Sequence, residues 1–565
     1  MWESLPADAL ATVFALLPRN DKSLGSCRLV CRSWKDVADA SPRIWSRVSI
    51  TAQTAAASAA GLSALLQRQR PFLGHIQLDS SPLLEGSEEE SSQALAMVLA
   101  AACGPDSRLA SFTCKGTLAG CFLDALPGSA SHLTALALRE LRARGRGASA
   151  LSWGQLSHMP QLLSLSLDIN FSEAGQPSLA LETLTRLTRL RLQAARCSRA
   201  PPRLVRSVLL AAPLSLRQLE LQAIDVLLGE HWWPQLPQDH HLPHQGDAEG
   251  FDQHGAGSEE EVEGGAQLEG QQAVAEAAAL AGQPAAVANA QLAGRRTHAA
   301  STIRRCLARL EALELGRCHV SRDFQCVLPS CRALTSLHFA PDDCSPQCVE
   351  FIARCSSLQD LVLGRYNDYR LRGLPSGALP HLTRLKISSS SELMKLHPSW
   401  CCLPKLLCFE VESCEQLLHL PLEMSTLTQL QRLSLSHQHL EEGFPWHLTS
   451  LSQLTYIAVA ASSLEHLPEG PYLRNLRHLN CFANNLTSVP PALFAHPELG
   501  APALRRLDLS CNYNHQLSAA DVAVCSRLTA LTFLDLSRRS EHAEAHGARL
   551  VDELRAALPH CTILA

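Results

Sequence analysis

Between Leu310 and Val459 one phrase, Leu-x-x-Leu-x-Leu, is written seven times. It reads Leu310, Leu313, Leu315, then Leu334, Leu337, Phe339, then Leu358, Leu361, Leu363. It continues as Leu382, Leu385, Ile387, then Leu406, Phe409, Val411, then Leu430, Leu433, Leu435, and Leu454, Ile457, Val459. The middle apolar residue falls at 313, 337, 361, 385, 409, 433 and 457, six equal steps of 24. A Leu-x-Leu alternation is a short strand with both leucines on one face and x on the other. One unit cannot bury that face alone, whereas stacked units share a continuous core and align their strands in a curved parallel sheet. Amphipathic helices with leucines at chance spacings would not hold one period through six steps.

A period in the twenties carrying this phrase resembles the leucine-rich repeat. The implied fold class is α/β: a leucine-rich-repeat solenoid with a curved parallel sheet and a convex side of mixed helical and proline-type segments. Hydrophobic residues make up 46% of the chain, enough for a large core, and the 5% of aromatic residues suits one built from leucine. The net charge of −5 argues against a dedicated nucleic-acid binder. The longest apolar run near the N-terminus, Ala94 to Cys103, is too short to span a bilayer, and no signal peptide is expected. The 21 cysteines lack a disulfide-scaffold layout, and several recur at repeat positions. They read as buried, reduced thiols of a cytoplasmic or nuclear protein.

Residues 1–47 do not carry the repeat. Leu5-Pro6 leads into a helix with Leu10, Val13, Phe14 and Leu17 on one face, closed by Pro18. Asn20 or Asp21 can cap a second helix carrying Leu24, Cys27, Cys31 and Trp34 on one stripe. Ser41-Pro42 then starts a last turn toward Ile44 and Trp45. Fewer than about fifty residues with this many apolar side chains cannot bury them all internally, so part of that surface wants a partner. The string Leu5-Pro6-x-Asp8-x-Leu10, Val13-Phe14-x-Leu16-Leu17-Pro18, Asp21, Arg28-Leu29-Val30-Cys31-Arg32-x-Trp34, Val37-Ala38 and Trp45 resembles the F-box. Gly25 inside the second helix is a mild departure, costing about 1 kcal/mol relative to alanine. The resemblance implies an all-α three-helix module that binds the Skp-family adaptor of Skp–cullin–F-box (SCF) ubiquitin ligases. Leu5, Pro6, Leu10, Phe14, Leu17, Pro18 and Val30 are its implied contacts.

Residues 48–222 carry the phrase at looser spacing. Strands are expected at 48–50, 76–78, 112–114, 136–138, 165–167, 190–192 and 219–221, with helical connectors at 55–67 and 93–102. Arg186, Arg189, Arg191, Arg196, Arg199, Arg203 and Arg206 crowd two of these repeats, with Arg139, Arg142, Arg144 and Arg146 in an earlier loop. Such crowding reads either as an anion site using guanidinium geometry or as a solvated positive face. Residues 223–302 interrupt the period. From Asp239 to Gly294 the chain has ten acidic residues and no Lys or Arg, a composition expected to stay disordered. His231, His240, His241, His244 and His254 there lack a regular ligand spacing.

Residues 303–565 resume the array, with later strands expected at 479–481, 507–509 and 534–536 and closure by a helix at 551–558 and a strand at 562–564. Cys331 and Cys355, one period apart, belong to units that resemble the cysteine-containing repeats of F-box proteins. Cys318, Cys414, Asn170, Ser390, Ser462, Asn484 and Asn512 each sit five residues after a strand's middle leucine, where a buried donor can satisfy loop carbonyls. Pro375, Pro398, Pro421, Pro445, Pro468 and Pro490 recur on the convex side and exclude helix interiors there. Units such as Leu467-Pro468 and Val489-Pro490 resemble plant-type repeats.

No phosphate loop, nucleophile elbow or zinc-protease motif is present, and the pairs Cys27/Cys31 and Cys344/Cys348 read as structural. No catalytic residue, metal or cofactor is expected. The x residues of the concave face are the expected client surface: Arg189, Arg191, His338, Lys386, Glu410, Glu412, Arg432, Asn480 and Asp508. The leading expectation is a substrate receptor of an SCF-type ligase, reaching cullin and RING subunits through the adaptor. The alternatives are a non-ligase scaffold and a receptor for a small ligand held by the arginine-rich repeats.

Overall fold

The structure is a computed structural model describing residues 45–80, 88–104, 106–117, 132–142, 153–169, 181–194, 204–224, 301–342, 348–366, 370–417, 419–438, 443–494, 500–512, 517–537 and 545–564. Among the described residues eighteen strands form one sheet. They are β1 (Arg47–Thr51), β2 (His75–Ser80), β3 (Ser111–Thr117), β4 (Ala135–Arg142), β5 (Ser164–Ile169), β6 (Arg189–Ala194), β7 (Gln218–Gln222), β8 (Ala312–Gly316) and β9 (Ser336–Ala340). After them come β10 (Asp360–Gly364), β12 (Arg384–Ser388), β14 (Cys408–Glu412), β15 (Arg432–Ser436), β16 (Tyr456–Ala458), β17 (His478–Asn480), β18 (Arg506–Asp508), β19 (Phe533–Asp535) and β20 (Thr562–Leu564). Every pairing is parallel and joins consecutive members of this series. A small outer ladder of β11 (Arg370–Leu371) and β13 (Lys395–Leu396) runs beside it.

The expected strands all lie in this sheet, and the leucines fall into two unbroken rows. Leu313 pairs with Leu337, Leu361 with Leu385, and Phe409 with Leu433. In β20 Ile563 is half-buried and Leu564 is exposed, whereas the two apolar residues of each repeat from β1 to β19 face inward and are almost wholly buried, as with Leu361 and Leu363. Each such side chain contributes about 1.5–3 kcal/mol relative to exposure. Outside the sheet the helices among the described residues are few: α1 (Ala52–Gln69) and α2 (Glu88–Ala102) fill the expected early connectors. From Pro398 onward single 3-10 turns take over, at Pro398–Cys401, Leu422–Thr426, Trp446–Ser450, Pro471–Leu473 and Pro491–Leu493. Proline forces that choice because it has no N–H to donate within a helix. Strands pack about 4.8 Å apart while helices need about 8–10 Å, so the strand face is the inner, concave one.

Three polar devices lock one repeat to the next. Threonines just before the strands, such as Thr134, Thr188, Thr335, Thr383, Thr455 and Thr532, donate their hydroxyls to a carbonyl of the preceding repeat at 3.0–3.1 Å. Buried side chains five residues after the middle leucine satisfy loop backbone as expected: Ser462 Oγ donates to Leu435 O at 2.7 Å, and Asn512 Nδ2 to Leu509 O at 2.7 Å. Asn170, of the same set, lies outside the described residues. The residue one place earlier takes a left-handed backbone at Arg317, Arg365, Ser389, Ser413, His437, Ala461, Ala483 and Cys511. In each case its N–H donates to a carbonyl of the following repeat at 2.7–3.2 Å.

β7 pairs directly with β8, so the two strands are neighbours in the sheet although 89 residues separate Gln222 from Ala312. Residues 225–300 lie outside the described residues. Excising residues 231–298 is expected to change stability by no more than about 2 kcal/mol, since loop closure depends only weakly on loop length. Thermal melts of the full chain and the excised one check this, and a loss of the β7–β8 protection in hydrogen exchange would contradict it.

Candidate functional site

The register arrays the solvent-facing residues of successive strands in rows, with neighbours about 4.8 Å apart. One row holds the residue between the two leucines, passing through Arg191, Glu220, Glu314 and His338 to Lys386, Glu410, Asn480 and Asp508. A second row, two residues earlier in each strand, passes through Arg189, Arg384, Arg432, Tyr456, His478, Arg506 and Phe533. All nine expected client-surface residues therefore lie on one sheet, but the structure divides them into three electrostatic neighbourhoods.

In the first, Arg191 is held inside the protein's own network. Its Nε lies 3.0 Å from Glu220 Oε1 and its Nη2 donates to Gln193 Oε1 at 2.9 Å. Gln222 donates to Glu314 Oε1 at 2.8 Å, and His338 Nδ1 stands 3.2 Å from the same oxygen. Burial, with Glu314 close by, pushes the Glu220 carboxyl up, while the hydrogen bond from His338 holds Glu314 down. Arg189 is exposed, and no described residue pairs with it.

The second neighbourhood is a closed acid–base cluster. Lys386 Nζ lies 2.6 Å from Glu412 Oε2 and 3.8 Å from Glu410 Oε2, and Arg384 Nη2 lies 3.3 Å from Glu410. Burial alone would raise the Glu410 carboxyl. The hydrogen bond from Cys408 and the charges of Arg384 and Lys386 outweigh it and hold the group below the usual range.

The third neighbourhood is cationic and aromatic. The Arg432 guanidinium sits 4.1 Å above the Tyr456 ring, Tyr456 and His478 ring centroids are 6.2 Å apart, and Arg506 sits 4.5 Å above Phe533. Burial, together with Arg506, Arg432, Arg505 and Arg477, pushes the His478 imidazole down. The nearby acceptors are engaged locally: Asn480, Asp508 and Asp535 accept from the backbone N–H of Phe482, Ser510 and Ser537 at 2.9–3.0 Å. Glu220, Glu314, Arg384, Tyr456, His478, Arg506 and Phe533 are not among the expected site residues. Their signal is present in the sequence, because they occupy the same offsets from the middle leucine in their own repeats.

The adaptor-contact residues Leu5, Pro6, Leu10, Phe14, Leu17, Pro18 and Val30 lie outside the described residues. The described chain begins at Trp45, which is buried in the solenoid core, and β1 starts two residues later. Ser46 O accepts from Gly74 and His75 N–H, fixing this junction against β2.

Among the described residues no group of three or more His, Cys, Asp or Glu side chains is placed to hold a metal ion. Among them, too, no helix is long and apolar enough to cross a membrane. Burial pushes the thiols of Cys114, Cys355, Cys401 and Cys481 up to about 12. Cys402 is exposed. Iodoacetamide at about pH 8 is therefore expected to modify Cys402 in the folded protein and to leave those four untouched until unfolding. Peptide mapping checks this, and early labelling of Cys481 would contradict the packing.

A family model described as F-box-like matches residues 2–51. No curated protein matches the chain. Among solved structures, an internalin from Listeria monocytogenes is 15% identical with a TM-score of 0.39, covering 73% of this chain and 88% of its own. The Toll receptor of the Drosophila Toll–Spätzle complex is 13% identical with a TM-score of 0.41, covering 84% of this chain and 53% of its own. A plant peptide hormone receptor, RGFR1 in complex with RGF2, is 14% identical with a TM-score of 0.34, covering 83% of this chain and 65% of its own. The chain thus spans about half to two thirds of these two receptor chains. The solenoid stands on its own register, with one apolar row running through parallel strands from Val48 to Ile563. The chain carries an F-box-like segment at residues 2–51, and from β1 onward its strands form a parallel solenoid on the Leu-x-x-Leu-x-Leu repeat.

Proposed function

We propose that this chain is the substrate-recognition subunit of an SCF-type ubiquitin ligase. Its F-box would bind a Skp-family adaptor, and through it cullin and RING subunits, by Leu5, Pro6, Leu10, Phe14, Leu17, Pro18 and Val30. The strand face, from Arg189 to Asp508, would hold a client protein. The observation that carries this reading is the junction: the F-box-like match ends within β1, and Trp45 is packed into the solenoid core. A handle joined to a rack without a linker holds a client at a fixed distance from whatever grips the handle. Ubiquitin transfer is then accelerated by proximity and orientation, and this chain performs no bond chemistry. Division into an F-box (1–47), two repeat blocks (48–222 and 303–565) and an insertion (223–302) suits that arrangement, as does a cytoplasmic or nuclear site of action.

The test is capture of adaptor and cullin by the full chain with and without the pair Leu5→Ala and Pro6→Ala. Adaptor and cullin captured by the intact chain and lost in the variant, with client retained, is the expected result. An intact chain that captures no Skp-family adaptor would leave a non-ligase scaffold instead.

A further inference from the structure

The cations on the strand face are not treated alike by the fold. Arg191, Arg384 and Lys386 are each neutralised by a carboxylate of the sheet. Arg432, Arg477, Arg505 and Arg506, concentrated on β15, β17 and β18 or immediately before them, have no carboxylate within ion-pair distance among the described residues. Arg477 and Arg505 stand side by side, since Arg505 N–H donates to Arg477 O at 2.8 Å. Arg432 and Arg506 lie against the faces of Tyr456 and Phe533 and are exposed at their other side. Stacking fixes a guanidinium plane while leaving its N–H edge available to an acceptor. The charge of all four arginines reaches His478, which sits in the same row between Arg432 and Arg506. From β15 to β18 this row spans three strand steps, about 14 Å, the length of roughly four extended residues.

Unpaired, pre-oriented guanidiniums around a single row call for an anion with several acceptor oxygens. The anion must also be compact. Asp508 lies two residues from Arg506 on the same face, so a segment with negative charge spread along its length would meet repulsion. A phosphate monoester concentrates about −1.5 to −2 charges on three oxygens at one point and suits bidentate arginine. We infer that the face formed by Arg432, Tyr456, His478 and Arg506, flanked by Arg477 and Arg505, binds a phosphorylated serine or threonine in an extended protein segment. This rests on the reading of the strand face as the client surface, and it names the chemical mark on the client.

The test uses the full chain and arrays of degenerate peptides with a fixed central phosphothreonine, threonine or glutamate. Retention on the phosphothreonine array about ten-fold above both others is expected. Arg432→Ala with Arg506→Ala should abolish that preference, while Arg384→Ala, whose parent side chain is already paired with Glu410, should preserve it. Both substituted arginines are exposed, so the melting temperature should not move. The pair Arg432→Lys and Arg506→Lys, which keeps charge but loses the planar fork, should fall between wild type and the alanine pair. Equal retention on phosphothreonine and threonine arrays overturns the inference. So does equal retention on the glutamate array, or selectivity that survives the alanine pair. Adaptor capture is measured on the same preparations. Lost selectivity with capture intact overturns only this inference, and absent capture with selectivity intact overturns only the ligase reading.

Discussion

Asn484→Ala is expected to destabilise the solenoid by about 4 kcal/mol, the sum of several buried polar groups each left without a partner. The side chain is 4% exposed. Its Nδ2 donates to Val459 O at 2.6 Å and to Cys481 O at 3.0 Å, and its Oδ1 accepts from Ser462 N–H and Leu464 N–H, each at 3.0 Å. Alanine would orphan Val459 O and two amides in a place where burial keeps bulk water out, while Cys481 O would keep only the Asn512 Nδ2 donor at 3.0 Å. Asn484→Asp should do little better, because it keeps the acceptor but sets a carboxylate against two carbonyls. Repeat proteins couple mainly to nearest neighbours, so the damage should be local. Hydrogen exchange is the sharper readout than a global melt: amides of Ser462 and Leu464 should lose protection while those of β4 and β5 keep it. A variant whose exchange at those two amides is unchanged would show that water replaces the asparagine.

Asp521→Ala should cost about 3 kcal/mol, combining a lost helix cap of about 1 with an orphaned buried amide of about 1–3. Asp521 is 3% exposed and opens the helix Ala519–Cys525 with Ser518 in a capping box. Its Oδ2 accepts from Ser518 N–H at 2.8 Å and from Ser518 Oγ at 2.6 Å. Its Oδ1 reaches back to the preceding repeat and accepts from Val489 N–H at 2.8 Å. Ser518→Ala removes part of the cap alone and should cost about 1 kcal/mol. The difference between the two variants in denaturant titration holds the bond between repeats together with the Ser518 N–H bond to Oδ2, which Ser518→Ala keeps. Equal losses would mean that the Val489 contact contributes nothing.

The strand positions, including the irregular ones before residue 222, were legible because a two-residue apolar alternation at a near-constant period has few other solutions. So was the proline-driven change from helices to single turns, since proline's missing donor acts locally. The buried asparagine and serine series was legible for the same reason: a polar residue recurring beside a core row must satisfy something. The candidate surface was only half legible. Arg191 and Lys386 could be placed on the strand face, yet their neutralisation by Glu220 and Glu412 depends on which strand lies beside which. Glu220 and Glu314 become neighbours only because β7 pairs with β8 across 89 intervening residues.

The left-handed turn that ends each strand shows the division best. Non-glycine residues there cost about 1–3 kcal/mol of local strain. Arg365, Ser389, His437 and Ala483 carry no local signal for that conformation. Their N–H groups find carbonyls only in the next repeat, as Ser389 finds Glu412 O at 3.0 Å. The amino-acid sequence by itself determined the period, the apolar rows and the side of each strand that faces the core, because burial and backbone periodicity are properties of the local pattern. Tertiary structure alone decided which charges are paired, which arginines stay open, and where the backbone bends against its own preference, because each depends on atoms supplied by a neighbouring repeat.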